Sequence, residues 1–320
     1  MRVIVVGAGL CGLSAAKTLI QAGHQVTVFD KGRSPGGRMA TRRIGPARLD
    51  HGAQFFTIRS DPFAALIQPH IDQGLVYEWC RGFSGGGDGF PRYAVHGGMN
   101  ALAKALAGPL DVRCNSLVFA IRPAAAAAGS GASWDVALDD GTSMAADGLV
   151  VTCPLPQANS LLVTAGTELP PDLISTEYDR TITLLVTLDR PSAVGEPGGL
   201  QNPAEALSFV SDNQRKGISD LPALTVHADA EWSQAHWDDD PAATIRALVD
   251  LADDYVGEAA VLEAQLKKWR FATPRTIWPK RSWVAPDGAG LLVLAGDAFA
   301  GPRVEGAVMS GLAAAAAFGA

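Results

Sequence analysis

Apolar positions first gather at Val3–Val6, then recur at helical spacing from Leu10 to Leu19, then return in the run Gln25–Phe29. The pattern predicts a strand, a helix that stops at Gly23, and a second, parallel strand ending on Asp30. Further on it predicts a helix over Asp61–Gly74, with Ser60 or Asp61 as cap and Pro62 in its first turn. A helix follows His96-Gly97-Gly98 and runs to about Leu106. One strand is predicted over Val112–Ile121. A hairpin follows, its arms Trp134–Leu138 and Ser143 onward, turning on Asp139-Asp140-Gly141. Gly148–Thr152 reads as a buried strand. Between Pro156 and Ile277 the runs Thr181–Leu188, Ala206–Val210 and Leu224–Ala228 have strand character, and Pro241–Val256 is helical. Near the end, Gly290–Ala295 reads as a buried strand leading to Asp297, and a helix of small residues extends to Ala317.

The turn Gly7-Ala8-Gly9-Leu10-Cys11-Gly12 between the first strand and helix is a GxGxxG. Gly7 allows the sharp turn, Gly9 lets a pyrophosphate approach the backbone, and Gly12 allows close packing of helix on sheet. The phosphates would meet free N–H groups at the positive end of the helix. Asp30 stands where a carboxylate accepts hydrogen bonds from ribose hydroxyls, and it would repel a 2′-phosphate, which disfavours NADP in this site. The segment thus predicts a dinucleotide site. Its glycines and Lys17 interrupt the apolar run, so it reads neither as a signal peptide nor as a membrane span.

Composition narrows this only a little. With 320 residues, 48% of them hydrophobic, the chain can bury a core for two lobes. A net charge of −7 offers no general attraction to nucleic acid or to an anionic membrane surface. The four cysteines, Cys11, Cys80, Cys114 and Cys153, show neither CxxC nor metal-ligand spacing. Reduced thiols and a cytoplasmic setting are the expectation, with no metal.

Other stretches carry candidate chemistry. Gly36-Gly37-Arg38-Met39 is a flexible turn able to bring a guanidinium onto phosphate, while the same arginines also read as a solvated basic loop. Gly52 and Ala53 invite close approach to something flat. Gly82-Phe83-Ser84-Gly85-Gly86 formally matches a hydrolase elbow, but glycine follows where a helix is needed, so it reads as a glycine-rich loop. Ala124–Ala132 is low-complexity and reads as a disordered loop or a hairpin tip.

Taken together, the glycine turn, Gly36-Gly37-Arg38-Met39, Asp50-His51-Gly52-Ala53-Gln54-Phe55 and the final Gly296-Asp297…Gly301-Pro302-Arg303-Val304-Glu305-Gly306-Ala307 resemble flavin amine oxidase-type proteins. More narrowly they resemble renalase-like bacterial flavoproteins. Leu224–Ala228 with Glu231-Trp232-Ser233, and Lys268-Trp269-Arg270-Phe271-Ala272, are similar to that subgroup's substrate-lobe segments.

The resemblance implies an α/β fold: a Rossmann-like, glutathione reductase-type FAD-binding domain (1–58, 97–158, 278–320) and an inserted α+β substrate domain on a mixed or antiparallel sheet (59–96, 159–277). It implies noncovalent FAD. Gly7, Gly9 and Gly12 would hold the pyrophosphate, Asp30 the adenosine ribose, Arg38 the phosphate, and Val118 the adenine edge through its backbone. Asp297 would bind the ribityl chain. Gln54 and Phe55 would lie near the isoalloxazine, and Glu305, Gly306 and Ala307 at its pyrimidine end. Lys31 and Arg303 belong to the same cofactor set.

The activity implied is oxidation of isomeric dihydro forms of NAD(P)H to NAD(P)⁺ by hydride transfer to flavin N5, with O2 as acceptor giving H2O2. A flavin amine oxidase acting on a small amine is the rival, for which Lys267 and Lys268 are the lysines to consider. A redox-silent FAD-binding scaffold and a plain NAD-binding dehydrogenase are the remaining alternatives. His227 leads the candidates at the substrate face, and its other reading is a satisfied structural histidine. Trp232, Trp269 and Phe271 form either an aromatic wall over the flavin or ordinary core packing. The expected partners are a small molecule and O2. The sequence leaves the oligomeric state open.

Overall fold

The structure is a computed structural model that describes residues 1–83, 88–124 and 133–320. It divides into two compact units. The first comprises residues 1–37, 103–177 and 274–320, and the second residues 38–102 and 178–273. The division expected from the sequence differs in placing residues 38–58 and 97–102 with the nucleotide-binding part and residues 159–177 and 274–277 with the substrate part. Ser84, Gly85 and Gly86 of the hydrolase-like run lie outside the described residues, as does nearly all of Ala124–Ala132.

The first unit is built on a six-stranded sheet in the order Trp283–Val284, Leu291–Leu294, Gly148–Val151, Arg2–Val6, Gln25–Phe29, Asp111–Arg113. All neighbours run parallel except the first pair. Val3–Val6 and Gly148–Val151 are buried throughout because covering both faces of a parallel sheet leaves no polar side. The helix Leu10–Gln21 follows the first strand. The helix Val304–Ala316 packs on it so closely that a Cβ at Gly311 would stand 2.2 Å from the Cys11 carbonyl oxygen. That approach explains the run of small residues in the second helix. A separate antiparallel sheet joins Val118–Pro123, Trp134–Leu138 and Ser143–Ala146, with Gly141 at positive φ in the predicted turn.

One expectation fails here. Val112–Ile121 is not one strand. Asp111–Arg113 closes the parallel sheet and Val118–Pro123 enters the antiparallel one. Asn115, at φ 53°, turns the chain between them, and its N–H donates to the Gly32 carbonyl at 2.8 Å. Asparagine tolerates this left-handed conformation, and the β-branched flanks concealed the break. Leu155–Thr164 and Pro171–Ile174 are helices that the sequence pattern did not single out.

The second unit holds a five-stranded sheet in the order Gly199–Ala204, Leu207–Asp212, Ala223–Ala228, Tyr178–Leu188, Val261–Pro274. The first four strands run antiparallel. Alternation sorts its residues into two faces. Ile182, Leu184, Val186, Val210, Leu224 and Val226 form the core on one face, joined by Leu248 of the helix Pro241–Leu251. Thr183, Thr225 and His227 point the other way. On that side Leu185 and Ala223 pack on Ile44, Ala47 and Leu49 of the hairpin Thr41–Ile44 and Ala47–Asp50. This hairpin delivers Asp50 and the residues after it to the polar face of the sheet.

Candidate active site

In the first unit the glycine turn has the shape its sequence predicts. Gly7 sits at φ 109°, and a Cβ at Gly12 would fall 1.9 Å from the Gly7 carbonyl oxygen, so only glycine lets turn and helix meet this closely. A Cβ at Gly9 would meet nothing within 4 Å, which leaves open space in front of the helix. Gly9, the cap residue, makes no side-chain hydrogen bond to the helix. Open space before the N-terminus of a helix fits a dinucleotide pyrophosphate.

Asp30 ends the second strand with its carboxylate already oriented: Oδ2 accepts from Ala8 N–H at 2.7 Å and Oδ1 from Gly32 N–H at 2.6 Å. Each oxygen keeps lone-pair capacity for a ribose hydroxyl. Lys31 follows it and is exposed, and Val118 is buried at the start of its strand. Cys153, beyond the strand Gly148–Val151, has its thiol pushed up to about 12 by burial, with Lys31 opposing that shift and Asp30 adding to it.

The last strand leads to a loop whose Asp297 is buried. Gly296 N–H donates to Ser310 Oγ at 2.8 Å, which fastens the loop to the final helix. That helix begins at Val304, with Arg303 in extended conformation as its cap and Glu305, Gly306 and Ala307 in its first turn. A Cβ at Gly306 would approach the Gly301 oxygen to 2.4 Å, so glycine is needed for the loop to close over the helix end.

The second unit gathers a different set. Lys216 Nζ lies 2.7 Å from Asp50 Oδ2 and 3.4 Å from Gln54 Oε1, with the Lys216 and Asp50 side chains wholly buried. Asp50 Oδ1 accepts from Thr41 Oγ1 at 2.5 Å and from Met99 N–H at 2.8 Å. Gln54 Nε2 donates to the Asp50 carbonyl at 2.8 Å and the Gly52 carbonyl at 3.1 Å, and stands 3.1 Å from His227 Nε2. Thr225 Oγ1 donates to the Asp50 carbonyl at 2.8 Å and in turn accepts from Asn213 Nδ2 at 3.0 Å. Trp79 lies beneath Lys216, with Nζ 5.1 Å from the ring.

Burial dominates the electrostatics. It lowers the His227 pKa to about 3, helped by His51 and Lys216. It lowers that of His51 to about 4, helped by Lys267 and Arg42. Burial also lowers the Lys216 pKa, while Asp50 pulls it back up. Both histidines are therefore neutral at neutral pH.

Among the candidate side chains, Trp269 and Phe271 share one face of the strand Val261–Pro274. Trp269 stacks on His51 at 5.3 Å and donates Nε1–H to the His51 carbonyl at 2.7 Å. Phe271 meets Tyr178 edge-on at 5.6 Å. Trp232 does not join them. It packs on the core of the opposite sheet face and lies 4.1 Å from the His236 ring. Trp232 is therefore separated from the sheet face that Trp269 and Phe271 share.

Arg38 directs Nη1 to the Phe271 and Ala272 carbonyls at 3.2 and 3.1 Å. Phe55 belongs to an aromatic group with Phe83 and Phe209, at 5.1 and 6.1 Å. Of the two lysines singled out by sequence, Lys267 lies over the Trp269 ring at 4.9 Å, whereas Lys268 turns away to the Trp237 carbonyl. Lys216 was missed. It sits in the polar run Asp212–Gly217, which reads as a solvated turn, and no local pattern separates a buried lysine from an exposed one there.

Among the described residues no group of three or more His, Cys, Asp or Glu could hold a metal, and the four cysteines form no disulfide. No helix among them is long and apolar enough to cross a membrane.

Comparison with known proteins adds the following. A family model described as an NAD(P)-binding Rossmann-like domain matches residues 5–68. One described as flavin containing amine oxidoreductase matches residues 71–318. An L-amino acid oxidase of Bothrops pictus is 49% identical over 57 residues, which are 15% of this chain and 11% of that protein. A phytoene dehydrogenase of Streptomyces griseus is 45% identical over 75 residues, 22% of this chain and 15% of that one. The chain therefore aligns with only a small part of these relatives' length. Among solved structures, putrescine oxidase bound to putrescine superposes with a TM-score of 0.73 at 16% identity, covering 99% of each chain. Cyclohexylamine oxidase from Brevibacterium oxydans gives 0.72 at 17%, covering 99% of this chain and 98% of that one. At such identities the likeness is one of fold.

Proposed function

The chain belongs to the flavin-containing amine oxidoreductases, and from that premise we propose that it is an FAD-dependent oxidase of the renalase-like kind, oxidising isomeric dihydro forms of NAD(P)H to NAD(P)⁺ with O2 as acceptor. FAD is the family's cofactor, held here without a covalent bond. The proposed contacts are Gly7, Gly9 and Gly12 at the pyrophosphate, Asp30 at the ribose, Val118 at the adenine, Asp297 at the ribityl chain, and Glu305 to Ala307 at the pyrimidine end, with Lys31, Arg38, Arg303, Gln54 and Phe55 completing the set. Held by these residues, FAD would supply a two-electron acceptor for hydride and pass the electrons to O2, which would leave as H2O2. The glutathione reductase-type topology belongs to the same reading, supported by the parallel order of the first sheet and its separate antiparallel one.

One observation carries the choice of substrate. The positive charges of Arg42 and Lys267 act on His51, and the carboxylate beside Gln54, that of Asp50, is engaged by Lys216, Thr41 and Met99 N–H. A phosphate-bearing nucleotide is attracted to such a surface and an ammonium is repelled. Neutral His227 provides a hydrogen bond without charge, and Trp269 and Phe271 offer flat apolar contact to a nicotinamide ring.

The rival is oxidation of a small amine. The Trp269 face already carries the Lys267 ammonium at 4.9 Å, so it can hold a cation. Anaerobic mixing separates the two. Rapid bleaching of the flavin by isomeric dihydronicotinamide nucleotides, with alkylamines and L-amino acids inert, is the expected result. Bleaching by amines alone would replace the first reading with the second.

A further inference from the structure

The Lys216–Asp50 pair lies behind the proposed substrate face and needs a role of its own. Burying two charges side by side stabilises little by itself, because desolvation consumes most of the attraction. What the pair does impose is direction. Lys216 is a donor only. It stands 3.4 Å from one end of the Gln54 amide, which must therefore be the oxygen. The other end faces two carbonyls, of Asp50 and Gly52, and must be the NH2 group. Turning the amide round would set donor against donor at Lys216 and acceptor against acceptor at both carbonyls. Three contacts thus fix one orientation.

His227 inherits the consequence. The Gln54 nitrogen is 3.1 Å from His227 Nε2 and has no lone pair to offer. The amide has two hydrogens for three acceptors, the two carbonyls and His227 Nε2, so one N–H is shared; a proton on Nε2 would oppose the NH2 group, so Nε2 is the bare nitrogen and the imidazole proton sits on Nδ1. Lys216 and His51, the titratable groups acting on His227, both disfavour a second proton, and the Asp50 carboxylate on the far side of Lys216 is engaged by it. Nδ1 has no hydrogen-bond partner among the described residues, and His227 is partly exposed.

We propose that Lys216 and Asp50 are positioning residues that act through Gln54 to hold His227 as the neutral Nδ1–H tautomer, presenting one uncharged donor to a neutral acceptor such as a carboxamide oxygen. Only this last step, the acceptor's identity, rests on the dihydronicotinamide reading. The lock itself exists without substrate.

The test is two-bond ¹H–¹⁵N NMR on the FAD-loaded protein with ¹⁵N-histidine, the His227 signals being assigned by their loss in His227→Gln. The wild type is expected to show a protonated Nδ1 and a bare Nε2, unchanged between about pH 5.5 and 8. Gln54→Glu gives His227 an acceptor in place of a donor. The proton then moves to Nε2 or the ring titrates within that range. A wild-type Nε2–H form, an imidazolium in that range, or an unchanged tautomer in Gln54→Glu would overturn the proposal. Nicotinamide added as a probe is expected to move the Nδ1 signal and methylammonium to leave it. Should methylammonium alone move it, the lock stands and the substrate reading falls.

Discussion

Lys216 Nζ and Asp50 Oδ2 are 2.7 Å apart although 166 positions separate the residues, and neither side chain has exposed surface. Removing one partner strands the other charge in the interior. Lys216→Met is therefore expected to destabilise the protein by about 3–5 kcal/mol, and Lys216→Met with Asp50→Leu by clearly less than the sum of the two single changes. Denaturant unfolding of the three variants checks this.

His51 and His227 make stability fall in acid. Their folded pKa values, about 3 for His227 and about 4 for His51, lie below the unfolded value near 6.5. Between those limits the unfolded chain holds protons that the folded one does not, so stability rises with pH across this window and levels off above it. His227→Gln is expected to remove close to one proton from the slope of unfolding free energy against pH between about 4.5 and 6. Urea unfolding at several pH values measures it, and an unchanged slope would contradict the assignment.

Gly9 and Gly12 separate cofactor binding from folding. A Cβ at Gly9 meets no protein atom within 4 Å, whereas one at Gly12 meets the Gly7 oxygen at 1.9 Å. Gly9→Ala should leave the melting temperature of the cofactor-free chain nearly unchanged and weaken FAD binding by about tenfold or more. Gly12→Ala should lower both. Flavin released per chain and thermal melting of the stripped protein are the readouts.

Arg42 and Lys267 are predicted to select for charge. Neutralising either, as Arg42→Gln or Lys267→Gln, is expected to raise KM for a dihydronicotinamide nucleotide by about three- to tenfold at low salt. The difference should shrink at high salt, with kcat little altered. Steady-state kinetics at two ionic strengths decide it.

Trp269→Phe keeps a ring against His51 but deletes the Nε1–H bond to the His51 carbonyl. A loss of about 1 kcal/mol is expected, together with a change in His51 ¹H chemical shifts as the stacked indole is replaced.

The opening strand, glycine turn, helix and second strand were legible because every constraint there is local: spacing, turn chemistry and a carboxylate in register. The alternation of Leu224 to Ala228 likewise set Thr225 and His227 on one face. What could not be read depended on distance in sequence. Nothing near Lys216 marks it as buried, because its partner comes from a hairpin far earlier in the chain. The tryptophan grouping failed for a related reason: Trp269 and Trp232 lie on different elements, and only the sheet decides that one joins the polar face and the other the core. Asn115 divided a seemingly continuous strand through a single left-handed residue.

The parallel sheet has a consequence for how the protein is made. Gly148–Val151 pairs on one side with Val3–Val6, which precedes it, and on the other with Leu291–Leu294. On the ribosome, the nucleotide-binding half must wait with one flank of this strand unpaired while the whole of the second sheet is synthesised. An apolar edge open for that long favours pairing with a neighbouring nascent chain. Slowing translation late in the message should therefore lower the soluble yield, unless a chaperone shields that edge.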